Sequence, residues 1–193
     1  MILGITGKIG VGKNAAAQFF GQRGWKVLDA DEIAHQLYRP YLRVWRDVVD
    51  RFGEGILGKN DVIDRQKLKQ IVFQNSPEGQ KALADLNAIV HPELKRYLKD
   101  EVYFLSKRKL NIVLTAALWK ELDLFELCDK VLLIKTGDAL AYERLHKREG
   151  MSFDMFEHLM QHQSDPEKAD FVVENEGDFQ GLYKQLNLIL NSL

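Results

Sequence analysis

Met1-Ile2-Leu3-Gly4-Ile5-Thr6 runs directly into Gly7-Lys8-Ile9-Gly10-Val11-Gly12-Lys13, and this junction is the most informative stretch of the chain. The first six residues form an apolar run that stops at a glycine cluster, as a fully buried strand does. The next seven fit G-x-x-x-x-G-K. Glycines let the backbone curl so that consecutive N–H groups point inward at phosphate oxygens. The helix that follows presents its positive end to the same anion. Lys13 then reaches between the outer phosphates. The alternative is a glycine-rich turn with no ligand, but an apolar strand before the loop and a helix after it are the context that a phosphate loop requires.

After the loop, Asn14 to Phe20 is alanine-rich and reads as a helix ending near Gly21 and Gly24. Trp25-Lys26-Val27-Leu28 is a second short strand closed by Asp29-Ala30-Asp31, which completes a βαβ unit. The stretch 32–105 is charged and helical in pattern, with helices expected at 32–38, 41–52, 65–74, 77–90 and 92–107. Gly53, Gly55 and Gly58 interrupt it, and Pro77 after Ser76 marks a helix start. Strand character returns at 111–115 and 130–134, with a helix expected around 118–127. Helices follow at 139–148 and 152–163, the second capped by Ser152; then come a strand at 171–173, a turn at Asn175-Glu176-Gly177 and a closing helix at 179–190. Strands alternating with helices predict an α/β fold: three layers around a five-stranded parallel sheet, with a helical insertion after the second strand. The expected division is a core of 1–36, 109–142 and 169–193, a helical segment 37–108 and a short lid 143–168.

Composition narrows the function classes. The 193 residues are 46% hydrophobic and 28% charged, which fits one globular domain or one core with insertions. Lys plus Arg total 27 against 28 Asp plus Glu, so the net charge is −1. That balance argues against a whole-protein nucleic-acid or membrane footprint and leaves room for a local basic cleft. Cys128 is the sole cysteine, so neither an intrachain disulfide nor a four-cysteine zinc site is available, and a reducing compartment is expected. It reads as a small apolar packing residue, and Trp25, Trp45 and Trp119 read as packing, one of them stacking on adenine being the alternative. No window approaches the roughly 18 apolar residues of a membrane span. Met1–Thr6 lacks the basic run of a signal peptide, so the expected location is the cytoplasm.

One position departs from the phosphate-loop pattern. The residue after the lysine is ordinarily Ser or Thr, whose hydroxyl ligates Mg²⁺. Here it is Asn14, followed by Ala15. Its amide oxygen is a hard donor on a longer side chain, and Mg²⁺ demands tight octahedral geometry. Asn14 is therefore the candidate metal position, in weakened form.

With the loop placed, nearly the whole chain resembles the dephospho-CoA kinase family of P-loop kinases. The matching stretches are Thr6–Lys13; Asp29-Ala30-Asp31-Glu32-Ile33-Ala34-His35; Ile63-Asp64-Arg65-Gln66-Lys67-Leu68 with Val72-Phe73; Val90-His91-Pro92; Leu127 to Val131; Arg144 to Arg148; and Ala169-Asp170 with Asn175-Glu176-Gly177. Their order and spacing carry the likeness. The resemblance implies a P-loop kinase core with a helical substrate segment and a lid. It also implies ATP as phosphate donor, Mg²⁺ as cofactor, and phosphorylation of the ribose 3′-hydroxyl of dephospho-CoA, the last step of coenzyme A biosynthesis. The expected partner is thus a small molecule, with neither nucleic acid nor membrane.

The resemblance assigns roles to this chain's residues. Gly7, Lys8, Ile9, Gly10, Val11, Gly12, Lys13, Asn14 and Ala15 would hold ATP, with Arg144 and Arg148. Asp31, Lys13 and Arg148 would be catalytic: Asp31 as the base that takes the hydroxyl proton, Arg148 as a lid arginine neutralising the migrating phosphoryl group. Asp29, His91 and Arg65 would contact the acceptor. Blander readings stand beside these. Asp29 and Asp31 are also suited to capping a helix, Arg65 to an ion pair with Asp61 or Asp64, His35 and His91 to structural roles, and Arg144, Lys147 and Arg148 to a solvated basic face. After the third strand the family reads D-x-P-L-L-F-E, whereas this chain reads Thr115-Ala116-Ala117-Leu118-Trp119-Lys120-Glu121. An arginine that often lies four residues before Gln163 is Leu159 here. The alternatives are another nucleoside or nucleotide kinase of this architecture, or a nucleotide-binding kinase relic with impaired catalysis.

Overall fold

The N-terminal apolar run becomes the central strand, β1 (Ile2–Thr6), with Leu3 and Ile5 fully buried. The computed structural model describes residues 1–193 except 117, 118, 120, 162, 164 and 167, and all other side chains except that of Phe179. In chain order β1 is followed by α1 (Lys13–Gly21), β2 (Lys26–Asp29), α2 (Ala30–Leu37), α3 (Arg43–Phe52), α4 (Arg65–Val72) and α5 (Pro77–Lys107). Then come β3 (Ile112–Thr115), β4 (Lys130–Lys135), α6 (Asp138–Glu149), α7 (Phe153–Gln161), β5 (Phe171–Glu174) and α8 (Phe179–Leu190).

The strands form one parallel sheet in the order β2-β3-β1-β4-β5. Side chains alternate across it, because successive Cβ atoms point to opposite faces of a strand. Leu3, Ile5, Val113, Leu132, Ile134 and Val173 pack with α1 and α8 residues such as Ala16, Phe19, Phe20, Leu182 and Leu186. On the other face Ile2, Leu28 and Ile112 pack with Val102 and Leu105 of α5. Both faces are covered, as a parallel sheet requires.

By its contacts the chain divides into two units, Met1–Ala30 with Glu101–Leu193, and Asp31–Asp100. Residues 31–36 therefore group with the helices, while 101–108 and 143–168 group with the sheet. The helical unit has its own core, in which Val44, Val48, Ile56, Ile63, Leu68, Val72, Leu86 and Val90 are buried. Asp64 starts α4 by accepting from the backbone N–H groups of Gln66 and Lys67 at 2.9 and 3.3 Å. Ser76 does the same for Gly79 at 3.1 Å, at the start of α5.

Two expectations need correction. The helices expected at 77–90 and 92–107 are one helix, which continues through Pro92. Proline removes one hydrogen bond from a helix, but Val90, Leu94, Leu98 and Val102 are all buried along one side and hold the axis together, while Pro92 is exposed. The helix expected over 118–127 is absent from its described part: residues 121–123 turn and Leu124–Leu127 forms a short 3-10 segment. Asp123 there has φ 50°, a left-handed conformation that interrupts helical pairing. Ala117 and Leu118, singled out in the comparison with D-x-P-L-L-F-E, lie outside the described residues. Among the described residues no helix is long and apolar enough to cross a membrane.

Candidate functional site

Residues 7–12 link the end of β1 to the first turn of α1, so the loop sits at the carboxyl edge of the sheet, where open α/β sheets bind ligands. Two glycines there are sterically obligatory. Gly7 has φ 139°, and a Cβ on it would lie 2.2 Å from the Ile134 carbonyl oxygen. Gly12, the residue before α1, has φ 103°, and its Cβ would lie 2.6 Å from Asn175 Nδ2. Both conformations favour glycine, and both positions lack room for any side chain. Lys13 opens α1, and its ammonium donates to the carbonyls of Gly7 and Lys8 at 2.8 and 2.9 Å. The cation is thus held at the loop by the loop's own backbone.

The loop is braced from elements far away in sequence. Asn175, just past β5 and 5% exposed, donates from Nδ2 to the Val11 carbonyl at 2.7 Å. Its own carbonyl accepts from Thr136 Oγ1 at 2.8 Å and from Arg144 Nη2 at 3.1 Å. Arg144 Nη2 also donates to the Gly177 carbonyl at 3.0 Å, while its Nη1 is buried with no partner among the described residues. Gln163 Oε1 accepts from the Ile9 N–H at 2.7 Å. Beside the loop lies a cavity of about 210 Å³ lined by Lys8, Ile9, Val11, Thr136 and Asp138 among others. A groove of about 620 Å³ adjoins Lys8, with Tyr142, Phe153, Phe156 and Met160 along it. Asn175, Thr136 and Gln163 were not among the expected site residues. The signal for Asn175 was the polar Asn175-Glu176-Gly177 triplet that ends β5.

The carboxyl edge also carries Asp29 and Thr115, which are register partners on β2 and β3, and Thr115 pairs on its other side with Ile5 of β1. Thr115 is 2% exposed, and its hydroxyl has no partner among the described residues. Asn14 is exposed on the first turn of α1. Among the described residues no three His, Cys, Asp or Glu side chains cluster as a metal site. The oxygen donors that are present, Asn14 and Asp29, suit a hard cation that arrives on phosphate and keeps much of its water.

The remaining expected residues fall elsewhere. Arg148 is on α6, four residues after Arg144, and is exposed; its Nε donates to Glu149 Oε1 at 2.8 Å. Lys147 pairs with Glu143 on the same helix. In the helical unit, Asp31 lies exposed in the first turn of α2, where its charge complements the helix dipole. Arg65 is exposed at the start of α4. The ion pair considered for it is not formed among the described residues: Asp61 accepts from the Tyr41 hydroxyl at 2.6 Å and Asp64 caps α4. Burial pushes the Tyr38 phenol up to about 12, and the Arg65 guanidinium opposes that shift. His91 is half-buried inside α5, not at a helix start. Cys128 donates to the Leu124 carbonyl at 3.5 Å, and burial, aided by Asp129, pushes its thiol up to about 12, which leaves it a poor nucleophile.

Comparisons with known proteins point to one family. A family profile described as dephospho-CoA kinase matches residues 1–181. The dephospho-CoA kinase of Bacillus licheniformis is 36% identical over 199 residues, covering 100% of this chain and 96% of that protein. That of Aquifex aeolicus is 35% identical over 195 residues, covering 99% and 96%. The crystal structure of TT1252 from Thermus thermophilus matches with a TM-score of 0.76 at 30% identity, covering 100% of this chain and 97% of that one. A dephospho-CoA kinase structure from Campylobacter jejuni shares the fold, with a TM-score of 0.72 at 21% identity over 99% and 96% of the two chains.

Proposed function

The chain belongs to the dephospho-CoA kinase family, and we propose that it transfers the γ-phosphate of ATP to the ribose 3′-hydroxyl of dephospho-CoA, giving CoA and ADP. The observation that carries this reading is the phosphate loop of residues 7–13, held open by Gly7 and Gly12 and charged by Lys13.

The loop amides and Lys13 bind the β- and γ-phosphates, and the first turn of α1 adds its positive end. Arg144, anchored to the backbone of Asn175 and Gly177, borders the nucleotide with its unused Nη1 donor. The acceptor oxygen forms a bond to the γ-phosphorus as the bond from that phosphorus to the bridging oxygen breaks, and ADP leaves. Asp31 takes the hydroxyl proton as general base. Arg148 exchanges its contact with Glu149 for the migrating phosphoryl group, so that 143–168 serves as a lid. Asp29, Arg65 and His91 contact the acceptor, and residues 37–108 form its binding segment. Arg65 suits a phosphate of dephospho-CoA, since the described carboxylates near it are engaged elsewhere. Mg²⁺ bound with the triphosphate would neutralise phosphate charge, with Asn14 the residue that would hold it, directly or through water. We place the reaction in the cytoplasm, in keeping with a single, unreactive cysteine.

The test is CoA formation from ATP, Mg²⁺ and dephospho-CoA, run beside a panel of nucleosides and nucleotides. Preferential phosphorylation of dephospho-CoA is the expected result. ATP binding without phosphorylation of any acceptor would instead identify a kinase relic.

A further inference from the structure

Thr115 is the one buried hydroxyl at the carboxyl edge of the sheet that the described structure leaves without a hydrogen-bond partner. Buried polar groups are satisfied in nearly all native proteins, and one that is not calls for an explanation. Its placement supplies one. Val113, two residues earlier on β3, packs in the core under α1, and so does Ile5, the register partner of Thr115 on β1. Alternation therefore directs Thr115 to that same face. Ile5 stands two residues before Gly7, so Thr115 sits beside the end of β1 that leads into the phosphate loop.

A threonine here also differs in kind from the acidic residue expected at this point of the chain. A carboxylate repels phosphate and accepts hydrogen bonds only, whereas a hydroxyl donates. We propose that Thr115 reads the nucleotide: its hydroxyl donates a hydrogen bond to the terminal phosphate of a bound nucleoside triphosphate, directly or through one water. The free protein holds the donor unpaired, and the triphosphate satisfies it. A diphosphate lacks the accepting group, so Thr115 discriminates ATP from ADP. This rests on the reading of residues 7–13 as a nucleotide site.

The test compares wild type with Thr115→Val and Thr115→Ser by calorimetric titration with ATP and with ADP in the absence of divalent cations, plus thermal unfolding of the ligand-free proteins. Valine keeps the shape and removes the unpaired hydroxyl, so the free Thr115→Val protein should melt at or above the wild-type temperature. ATP affinity should fall about tenfold, the loss of one hydrogen bond to a charged group, while ADP affinity stays unchanged. Thr115→Ser should restore ATP binding. Equal weakening of ATP and ADP, or of neither, overturns the proposal. So does a Thr115→Val protein that melts lower or does not fold, because the hydroxyl would then already have a partner. Wild type that binds neither nucleotide would sink the reading of the loop itself, a result distinct from wild type binding both while Thr115→Val matches it.

Discussion

Asn175 Nδ2 donates to the carbonyl of Val11 at 2.7 Å, so a residue just past the last strand fixes the shape of a loop that follows the first. The same carboxamide faces Gly12, where a Cβ would come within 2.6 Å of Nδ2. Asn175→Leu should therefore leave the Val11 carbonyl buried and unpaired, at a cost of about 1–3 kcal/mol. Urea denaturation checks that figure. ATP titration should show weakened binding at the same time, because the loop amides lose their brace. Unchanged stability together with unchanged ATP affinity would refute the bracing role.

Gly7→Ala tests the loop from its other end. The new Cβ would lie 2.2 Å from the Ile134 carbonyl oxygen, and φ 139° is a conformation that alanine avoids. Backbone strain of this kind costs about 1–3 kcal/mol before the clash is counted. Because β1 and β4 are both buried, the clash cannot be relieved at the surface. The variant should melt well below wild type and lose ATP binding in a fluorescence or calorimetric titration.

The loop and the sheet were legible in the sequence because local signals agree there. The apolar run 2–6, the glycines and the alanine-rich helix each point to one answer, and the parallel order of five strands follows from their alternation with helices. At Pro92 the tertiary burial of Val90, Leu94 and Leu98 outweighs a local helix breaker. Over 121–127 the left-handed backbone of Asp123 breaks the helix that the pattern suggests. At the site, the sequence presents Asn175 and Gln163 only as turn and motif residues. Their hydrogen bonds to Val11 and Ile9 span 164 and 154 residues, and no local pattern carries a contact of that range.

Two half-buried acids weaken the fold in alkali. Burial pushes both the Cys128 thiol and the Tyr38 phenol up to about 12, from ordinary values of 9.0 and 10.0. Folding then favours the protonated forms. Their contribution to stability is fully present below about pH 9 and is lost as pH rises toward 12, because the unfolded chain ionises first. Chemical-denaturation midpoints should be flat in this respect up to pH 9 and fall between pH 9 and 11. At pH 8 Cys128 is therefore held almost wholly as the thiol. Labelling with a thiol reagent should accordingly be slow in the native protein and fast in urea. Rapid native labelling would show the burial argument to be wrong.

Arg148 and Arg144 share one face of α6 but differ in surroundings. Arg144 is tied to the Asn175–Gly177 backbone, whereas Arg148 is exposed and held only by its neighbour Glu149. An exposed arginine pair of this kind is weak and easily exchanged. Arg148→Ala should thus leave stability within about 0.5 kcal/mol and lower kcat about a hundredfold, as expected for loss of a cation on the transferring phosphoryl group. Steady-state kinetics with ATP and dephospho-CoA decides it. Near-normal kcat would return Arg148 to the role of a solvated surface residue.

Asn14 raises the question of how much phosphoryl transfer depends on the residue after Lys13. It is exposed on the first turn of α1, so substitution there disturbs no packing. A serine hydroxyl is shorter than a carboxamide and fits the tight octahedron of Mg²⁺ better. Asn14→Ser should leave thermal stability unchanged and lower the Mg²⁺ concentration that gives half-maximal CoA formation by about three- to tenfold, while ATP affinity without metal stays the same. The measurement is initial rate against free Mg²⁺ for both proteins. A rate profile that is unchanged, or lower at every concentration, would mean that the amide already serves the ion as well as a hydroxyl does. The neutral residue at 14 would then have no bearing on turnover.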